Sequence, residues 1–131
     1  MKIFDCFMYF DEEVILDLRL NMLNDYVDYF VIVESIFTHR GEKRELKFDH
    51  NKFKKFKDKI IYIPVQDLPD GANPYLRENH QRNCITRGLS KAKKDDLIII
   101  SDLDEIPNPE AIWKFDTKKR YAVFKQNQYY Y

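Results

Sequence analysis

Three carboxylates stand close together just after a short apolar run of the sequence. The segment LIIISDLDEIPNP covers residues 97–109, and Asp102, Asp104 and Glu105 follow its β-branched block at once. Two aspartates one residue apart in a turn bring acidic oxygens into a small volume, where like charges repel unless a cation lies between them. Carboxylate and water oxygens suit Mg²⁺ or Mn²⁺, and two protein ligands leave positions open for phosphate oxygens. The spacing therefore predicts that Asp102 and Asp104 hold a divalent cation.

The same two aspartates have a structural alternative, in which they only cap the proline-rich turn and a short helix over 109–115. An Asp-X-Asp motif is a weak signal by itself, so its context has to support the interpretation. Here the motif follows a buried strand, and ligands of open α/β sheets bind at the carboxyl ends of the strands. This position favours the metal site.

The elements that must position these carboxylates alternate along the chain. Apolar runs predict strands over 2–10, 29–35, 60–65 and 96–101, and the start of a fifth near 121. Helical patterns lie between them, over 11–24, 52–59 and 75–92. In the first helix, a core-facing side is predicted from the spacing of five apolar residues: Val14, Leu18 and Met22, with the flanking Ile15 and Leu23. This alternation predicts one α/β domain over 1–131, with a mostly parallel sheet flanked by helices.

Length and composition exclude several classes of protein. The 131 residues are 44% hydrophobic and 34% charged, which is typical of a soluble globular domain. The 22 Lys and Arg residues equal the 22 Asp and Glu residues, whereas nucleic-acid binding usually needs a basic excess. No apolar run approaches the roughly 20 residues of a transmembrane helix, and the start lacks the apolar region of a signal peptide. We therefore expect a cytoplasmic protein without a transmembrane segment or nucleic-acid partner.

Three blocks of the sequence resemble glycosyltransferase family 17. They are the long N-terminal block over 2–46, RENHQRNCITRGL over 77–89 and DDLIIISDLDEIPNPEAI over 95–112. The blocks occur in order across nearly the whole chain, which is more specific than Asp-X-Asp alone. The resemblance implies a GT-A-like, Rossmann-like fold and a divalent metal. It also implies an inverting transfer of a sugar, N-acetylglucosamine, from a UDP-sugar to a hydroxyl of a glycan acceptor.

The resemblance also implies roles for individual residues. Asp102 and Asp104 would bind the metal and the diphosphate of the donor. Glu34, at the end of the second strand, would accept a hydrogen bond from the uridine, and its alternative role is to cap a loop, because carboxylates are rarely buried without a partner.

Three further residues are candidates for contacts with the nucleotide. Arg82 and Asn83, on the helix before the motif strand, would approach the diphosphate. A surface ion pair with Glu78, four residues earlier, is an equal explanation of Arg82. Arg40, in the loop THRGEKR, would pair with an anion, although a solvated charged loop is the favoured interpretation.

The catalytic domain of the family is longer than this chain, so the resemblance implies a domain truncated after its Asp-X-Asp half. The acceptor groove and the general base are then expected beyond residue 131 or in a companion subunit. Within the chain, Glu105 is the nearest candidate base, and its alternative role is to hold the turn. An exposed edge at the fifth strand predicts self-association. Two other functions stay open: a non-catalytic nucleotide-sugar-binding subunit, and a metal-dependent phosphatase with Asp102 as nucleophile.

Overall fold

Four parallel strands form one sheet in the computed structural model, which describes residues 1–38, 40–67 and 73–113. The strands are β1 (Ile3–Met8), β2 (Tyr29–Ser35), β3 (Ile60–Val65) and β4 (Leu97–Ile100). Their order is β3-β2-β1-β4, and every pairing is parallel. The predicted α/β class with a parallel sheet is confirmed. The strand expected from about residue 121, and the self-association argued from its edge, lie outside the described residues.

Helices flank the sheet on both faces. They are α1 (Glu13–Leu23), α2 (Pro74–Asn83) and α3 (Pro109–Trp113). The helix predicted over 52–59 is only the 3-10 turn Lys54–Phe56, and the α-helix predicted over 75–92 ends at Asn83 and continues as the 3-10 turn Cys84–Gly88. Asn73 caps α2, because its side chain accepts a hydrogen bond from the Leu76 amide.

Alternate residues of the two central strands face two separate apolar layers, as the pleat of a strand requires. One layer contains α1 and the segment after β2, and its buried members include Phe7, Leu16, Leu20, Leu23, Phe30, Ile32, Phe48 and Phe53. The other contains the 3-10 turn after α2, and its members include Phe4, Cys6, Val31, Val33, Cys84 and Ile85. β1 and β2 are therefore buried on both faces, as is usual for a parallel sheet.

The predicted core-facing side of α1 is right at Leu23, which is fully buried, and in part at Ile15, which is partly buried against the core. It is wrong for its other three residues. Val14, Leu18 and Met22 are 82%, 52% and 43% exposed. The buried face consists of Leu16, Leu20 and Leu23, together with Arg19. The helix carries two apolar stripes. The stripe that contains Arg19 is the buried one, because Arg19 forms an ion pair with the buried carboxylate of Asp5.

The 3-10 turn after α2 packs directly against the sheet. A Cβ atom built on Gly88 would lie 2.5 Å from Cγ1 of Val31, so a side chain at this position would collide with β2. This close approach fixes the end of α2 beside the central strands. Within the described ranges, we find no helix with the length and apolar character needed to cross a membrane.

Candidate metal and nucleotide site

The Asp102–Asp104 turn lies at the carboxyl edge of the sheet, directly after β4. The Ser101 amide donates to the carbonyl oxygen of Cys6 at 3.3 Å, which keeps the chain beside β1 for one residue beyond the strand. The side chains of Asp102 and Asp104 are exposed, whereas Leu103 between them is buried. The turn therefore anchors its middle residue in the core and presents two carboxylates to solvent.

Glu105 closes this turn. Its carboxylate oxygen Oε1 accepts a hydrogen bond from the Asp102 amide at 3.2 Å, and its own amide donates to the Asp102 carbonyl oxygen at 2.9 Å. This is the turn-holding role that the sequence offered as the alternative for Glu105. A role as general base stays a prediction.

Arg19 of α1 holds the same turn from inside the protein. Its Nη1 atom donates to the carbonyl oxygens of Asp102, at 2.7 Å, and Leu103, at 3.1 Å. Its Nη2 atom donates to the Ser101 hydroxyl at 2.7 Å. Nε and Nη2 also bind the two carboxylate oxygens of Asp5, at 2.9 and 2.6 Å.

The sequence interpretation missed Arg19 and Asp5 as parts of the site. Both side chains are completely buried, and the guanidinium carbon lies 4.5 Å from the centre of the Phe7 ring. One signal was available: a single arginine in an apolar stripe of a helix and a single aspartate inside an apolar strand need each other, because unpaired charges are rarely buried.

Arg82 lies beside the turn, at the end of α2. Its Nη2 atom is 3.4 Å from Oδ1 of Asp102 and 3.5 Å from Oε1 of Glu78. Both contacts are long and substantially exposed, so they contribute little to stability. The structure therefore contains the expected Glu78 pair and also brings Arg82 next to the acidic turn. Asn83, the last residue of α2, is exposed close by.

The donor set of the turn fits a hard divalent cation whose coordination is completed by a substrate. Within residues 1–38, 40–67 and 73–113, no group of three or more His, Cys, Asp or Glu side chains is arranged to hold a metal ion. Asp102 and Asp104 contribute two carboxylates. Magnesium is commonly bound in this way, through one or two carboxylates plus the phosphate oxygens of a substrate and water.

Glu34, the expected uridine contact, is fully buried at the end of β2. Its Oε1 atom accepts hydrogen bonds from the Tyr62 hydroxyl at 2.6 Å and the Phe48 amide at 3.2 Å. Its Oε2 atom accepts from the Lys47 amide at 2.6 Å and Nη2 of Arg44 at 3.0 Å. This geometry favours the loop-capping alternative, and the contact with uridine stays a prediction.

Arg44 extends the Glu34 network across the loop that follows β2. Its guanidinium group donates to the carbonyl oxygens of Ser35, at 2.6 Å, and Phe10. Burial, together with the hydrogen bond to Glu34, raises the pKa of the Tyr62 phenol. The loop is therefore tied to the carboxyl ends of both β1 and β2.

Arg40 lies in an exposed turn of the same loop. Gly41 closes the turn with a φ of 88°, and its amide donates to the Thr38 carbonyl oxygen at 2.9 Å. No ion pair joins Arg40 to Asp102 or Asp104 in the part of the chain that the structure describes. The solvated loop is thus the role that this structure favours for Arg40, and an anion contact stays a prediction.

A second polar cluster lies at the end of β3. Both nitrogens of the Arg87 fork bind Asp67 at 3.0 Å, and these hydrogen bonds lower the pKa of Asp67 to about 2. His80 lies 2.9 Å from the same carboxylate and is partly exposed. The cluster joins the end of β3 to α2 and to the 3-10 turn that follows it.

Comparison with known proteins agrees with the three sequence blocks. Residues 1–122 match the family model described as Glycosyltransferase family 17. The chain belongs to glycosyltransferase family 17. All the candidate residues described above fall inside the matched range of this family 17 chain.

The family 17 chain is also similar to individual curated proteins. It is 36% identical over 109 residues to the "Beta-1,4-mannosyl-glycoprotein 4-beta-N-acetylglucosaminyltransferase" of Homo sapiens and to that of Rattus norvegicus. It is 35% identical to the protein of the same name from Mus musculus. Each alignment covers 75% of this chain and 20% of the relative, so the chain matches about a fifth of the length of these proteins. No solved structure is significantly similar to it.

Proposed function

We propose that this family 17 chain is the donor-binding part of a metal-dependent, inverting glycosyltransferase. The transferred sugar is N-acetylglucosamine, the donor is its UDP derivative and the acceptor is a hydroxyl group of a glycan. One observation carries the proposal: two exposed aspartates project from an anchored turn at the carboxyl edge of a parallel sheet. The names of the similar mammalian proteins support the choice of sugar.

The carboxylates of the turn define the donor-binding edge. Asp102 and Asp104 would hold Mg²⁺ or Mn²⁺, whose charge stabilises the negative charge that develops on a diphosphate leaving group. Arg82 adds a second positive charge beside Asp102, and Asn83 adds an amide donor at the end of the same helix. Because the turn is already ordered by buried partners, little conformational entropy is lost when the donor binds.

Transfer to a hydroxyl requires a general base within hydrogen-bond reach of the attacking oxygen. Glu105 is the nearest candidate, but its carboxylate accepts the hydrogen bond that closes the turn. We therefore assign the base to a residue outside the described part of the chain or to a companion subunit. The acceptor glycan would be bound by the same part of the chain, or by the same companion subunit, that supplies the base.

A thermal-shift measurement with nucleotides and Mn²⁺ tests the proposal. UDP with Mn²⁺ is expected to raise the melting temperature, because a ligand at about 100 times its Kd adds about 2.7 kcal/mol to the free energy of unfolding. Asp104→Ala should abolish this shift. Asp58→Ala is the matched control, since Asp58 is an exposed aspartate remote in sequence from the turn, and it should leave the shift unchanged.

The same protein samples separate the alternatives. A UDP shift without hydrolysis or transfer of the donor sugar would support a nucleotide-sugar-binding subunit. Turnover of a simple phosphate ester that is lost in Asp102→Asn, with no UDP shift, would instead support the phosphatase and overturn the proposal.

A further inference from the structure

Every nitrogen of the Arg19 guanidinium group is used inside the protein. One edge of the group binds Asp5 through Nε and Nη2, and the remaining donors bind the turn after β4. The acceptors in that turn are the Ser101 hydroxyl and the carbonyl oxygens of Asp102 and Leu103. Three successive residues of the acidic turn are therefore bound by one side chain.

Packing alone does not require this arrangement. Arg19 lies in the buried face of α1 between leucines, and an apolar side chain of similar volume would fill the same space. Removing a guanidinium group and a carboxylate from water is costly, and replacing a buried pair with apolar residues is often neutral or stabilising. The pair is therefore poorly explained by fold stability, whereas its contacts with the turn are specific.

The contacts determine which way the turn faces. Arg19 draws the backbone oxygens of Asp102 and Leu103 towards the core, and the Leu103 side chain is buried beside them. The residues before and after Leu103, Asp102 and Asp104, are both exposed. Without these inward hydrogen bonds, the backbone of the turn would have other orientations available, and the positions of Asp102 and Asp104 would be less fixed.

The carboxylate of Asp5 neutralises the positive charge that Arg19 places beneath the turn. An unpaired guanidinium cation beneath the turn would repel a divalent cation bound above it, and this repulsion is strong where little water screens it. The carboxylate of Asp5 lies 2.6 Å from Nη2 and cancels this charge, while the donors of Nη1 stay directed at the turn.

We propose that Arg19, neutralised by Asp5, is a positioning residue that holds Asp102 and Asp104 in the arrangement that binds a divalent cation. This inference rests on the proposed metal site. It assigns the affinity of that site to a pair of residues that do not touch the cation.

The decisive variant replaces both partners, Asp5→Val with Arg19→Met, so that no buried charge is left unpaired. We expect the variant to fold, with a melting temperature close to that of the wild type, but to bind Mn²⁺ alone at least tenfold more weakly in an electron paramagnetic resonance titration. The amide hydrogen of Glu105, which donates to Asp102, should exchange at least tenfold faster. Arg19→Lys, which keeps the charge but loses the planar fork, should also weaken Mn²⁺ binding.

Arg44→Lys is the matched control. Arg44 makes an equivalent set of contacts with Glu34 and two backbone carbonyls, but at the neighbouring loop. It should lower stability and leave the Kd for Mn²⁺ unchanged. Stable Asp5→Val/Arg19→Met protein with wild-type Mn²⁺ affinity and wild-type Glu105 exchange would overturn the inference.

Two further outcomes are informative. If wild-type protein binds no Mn²⁺ even in the presence of UDP, the proposed function fails, while the exchange rate of the Glu105 amide still tests whether Arg19 orders the turn. If neither Arg19 variant folds, the positioning role of Arg19 is tested by titrating the wild type with Mg²⁺ and following its nuclear magnetic resonance signals. The Arg19 Nε–H signal should then shift with the same Kd as the Asp104 amide, and an Arg19 signal that stays constant would contradict the positioning role.

Discussion

At the residue scale, two buried carboxylates organise the carboxyl edge of the sheet. Asp5 pairs with Arg19 beneath the acidic turn, and Glu34 pairs with Arg44 beneath the loop after β2. The exposed aspartates could be predicted from sequence, because their chemistry depends on local spacing. The pairing of Arg19 with Asp5 left a signal in the sequence, but the contacts of Arg19 with the turn did not, since those partners lie 82 to 84 residues after it.

Glu34→Gln tests the loop-holding role of Glu34. Removing the charge leaves the largely buried guanidinium group of Arg44 without its anion, so we expect the free energy of unfolding to fall by about 2 kcal/mol in urea titrations. Glu45→Gln is the control, because Glu45 is an exposed residue of the same loop, and it should change stability by less than about 0.5 kcal/mol.

UDP binding by the folded Glu34→Gln protein separates the two roles of this residue. A Kd equal to that of the wild type is expected if Glu34 only caps the loop. A large loss of UDP affinity with unchanged stability would contradict the loop role and support the uridine contact instead.

At the element scale, the type of the main strands and their positions along the chain could be predicted, but the orientation of α1 could not. Buried parallel strands leave a clear signal, because they read as continuous β-branched and aromatic runs. α1 has two competing apolar stripes, and the choice between them depends on a long-range ion pair. The segment around Lys54 shows the same limit, since the two aromatic residues Phe53 and Phe56 among many lysines resemble a helix but support only a 3-10 turn.

Leucine truncations along α1 test this orientation. Leu20→Ala should lower the free energy of unfolding by about 2–5 kcal/mol, because Leu20 is fully buried and its loss leaves a cavity. Leu18→Ala, two residues earlier on the exposed stripe, should change it by less than about 0.5 kcal/mol. Equal losses in urea denaturation of the two variants would show that the helix packs differently.

At the scale of the whole molecule, the strand order brings distant segments to one edge. β1 lies between β2 and β4, so the loop held by Glu34 and the turn held by Arg19 both leave the sheet beside the end of β1. The parallel connections followed from the sequence pattern. The order of the strands did not, because any strand of a buried parallel sheet has similar apolar composition.

Because β1 is buried, the free energy of unfolding is expected to fall at alkaline pH. Burial, with a smaller contribution from Asp5, raises the pKa of the Cys6 thiol from 9.0 to about 12. The folded state then keeps the thiol neutral where the unfolded state ionises it. The stabilisation is complete below pH 9 and is lost as the pH rises towards 12, with a slope of up to about 1.4 kcal/mol per pH unit for one proton.

Urea unfolding between pH 8 and pH 11 measures this loss. Tyr9, whose pKa burial raises from 10.0 to about 12, should add to the slope at the upper end. In Cys6→Ala the free energy of unfolding should fall less steeply above pH 9. Parallel pH profiles of the two proteins would contradict the assignment to Cys6.

Calorimetric titration of UDP into the folded chain with Mn²⁺ tests the central claim most directly. We predict binding of one UDP per chain that disappears when Mn²⁺ is removed by a chelator, and that disappears equally in the double variant Asp102→Asn/Asp104→Asn. Absence of binding heat from the folded wild-type protein across several temperatures, or UDP binding that is indifferent to Mn²⁺ and to both aspartates, would contradict it.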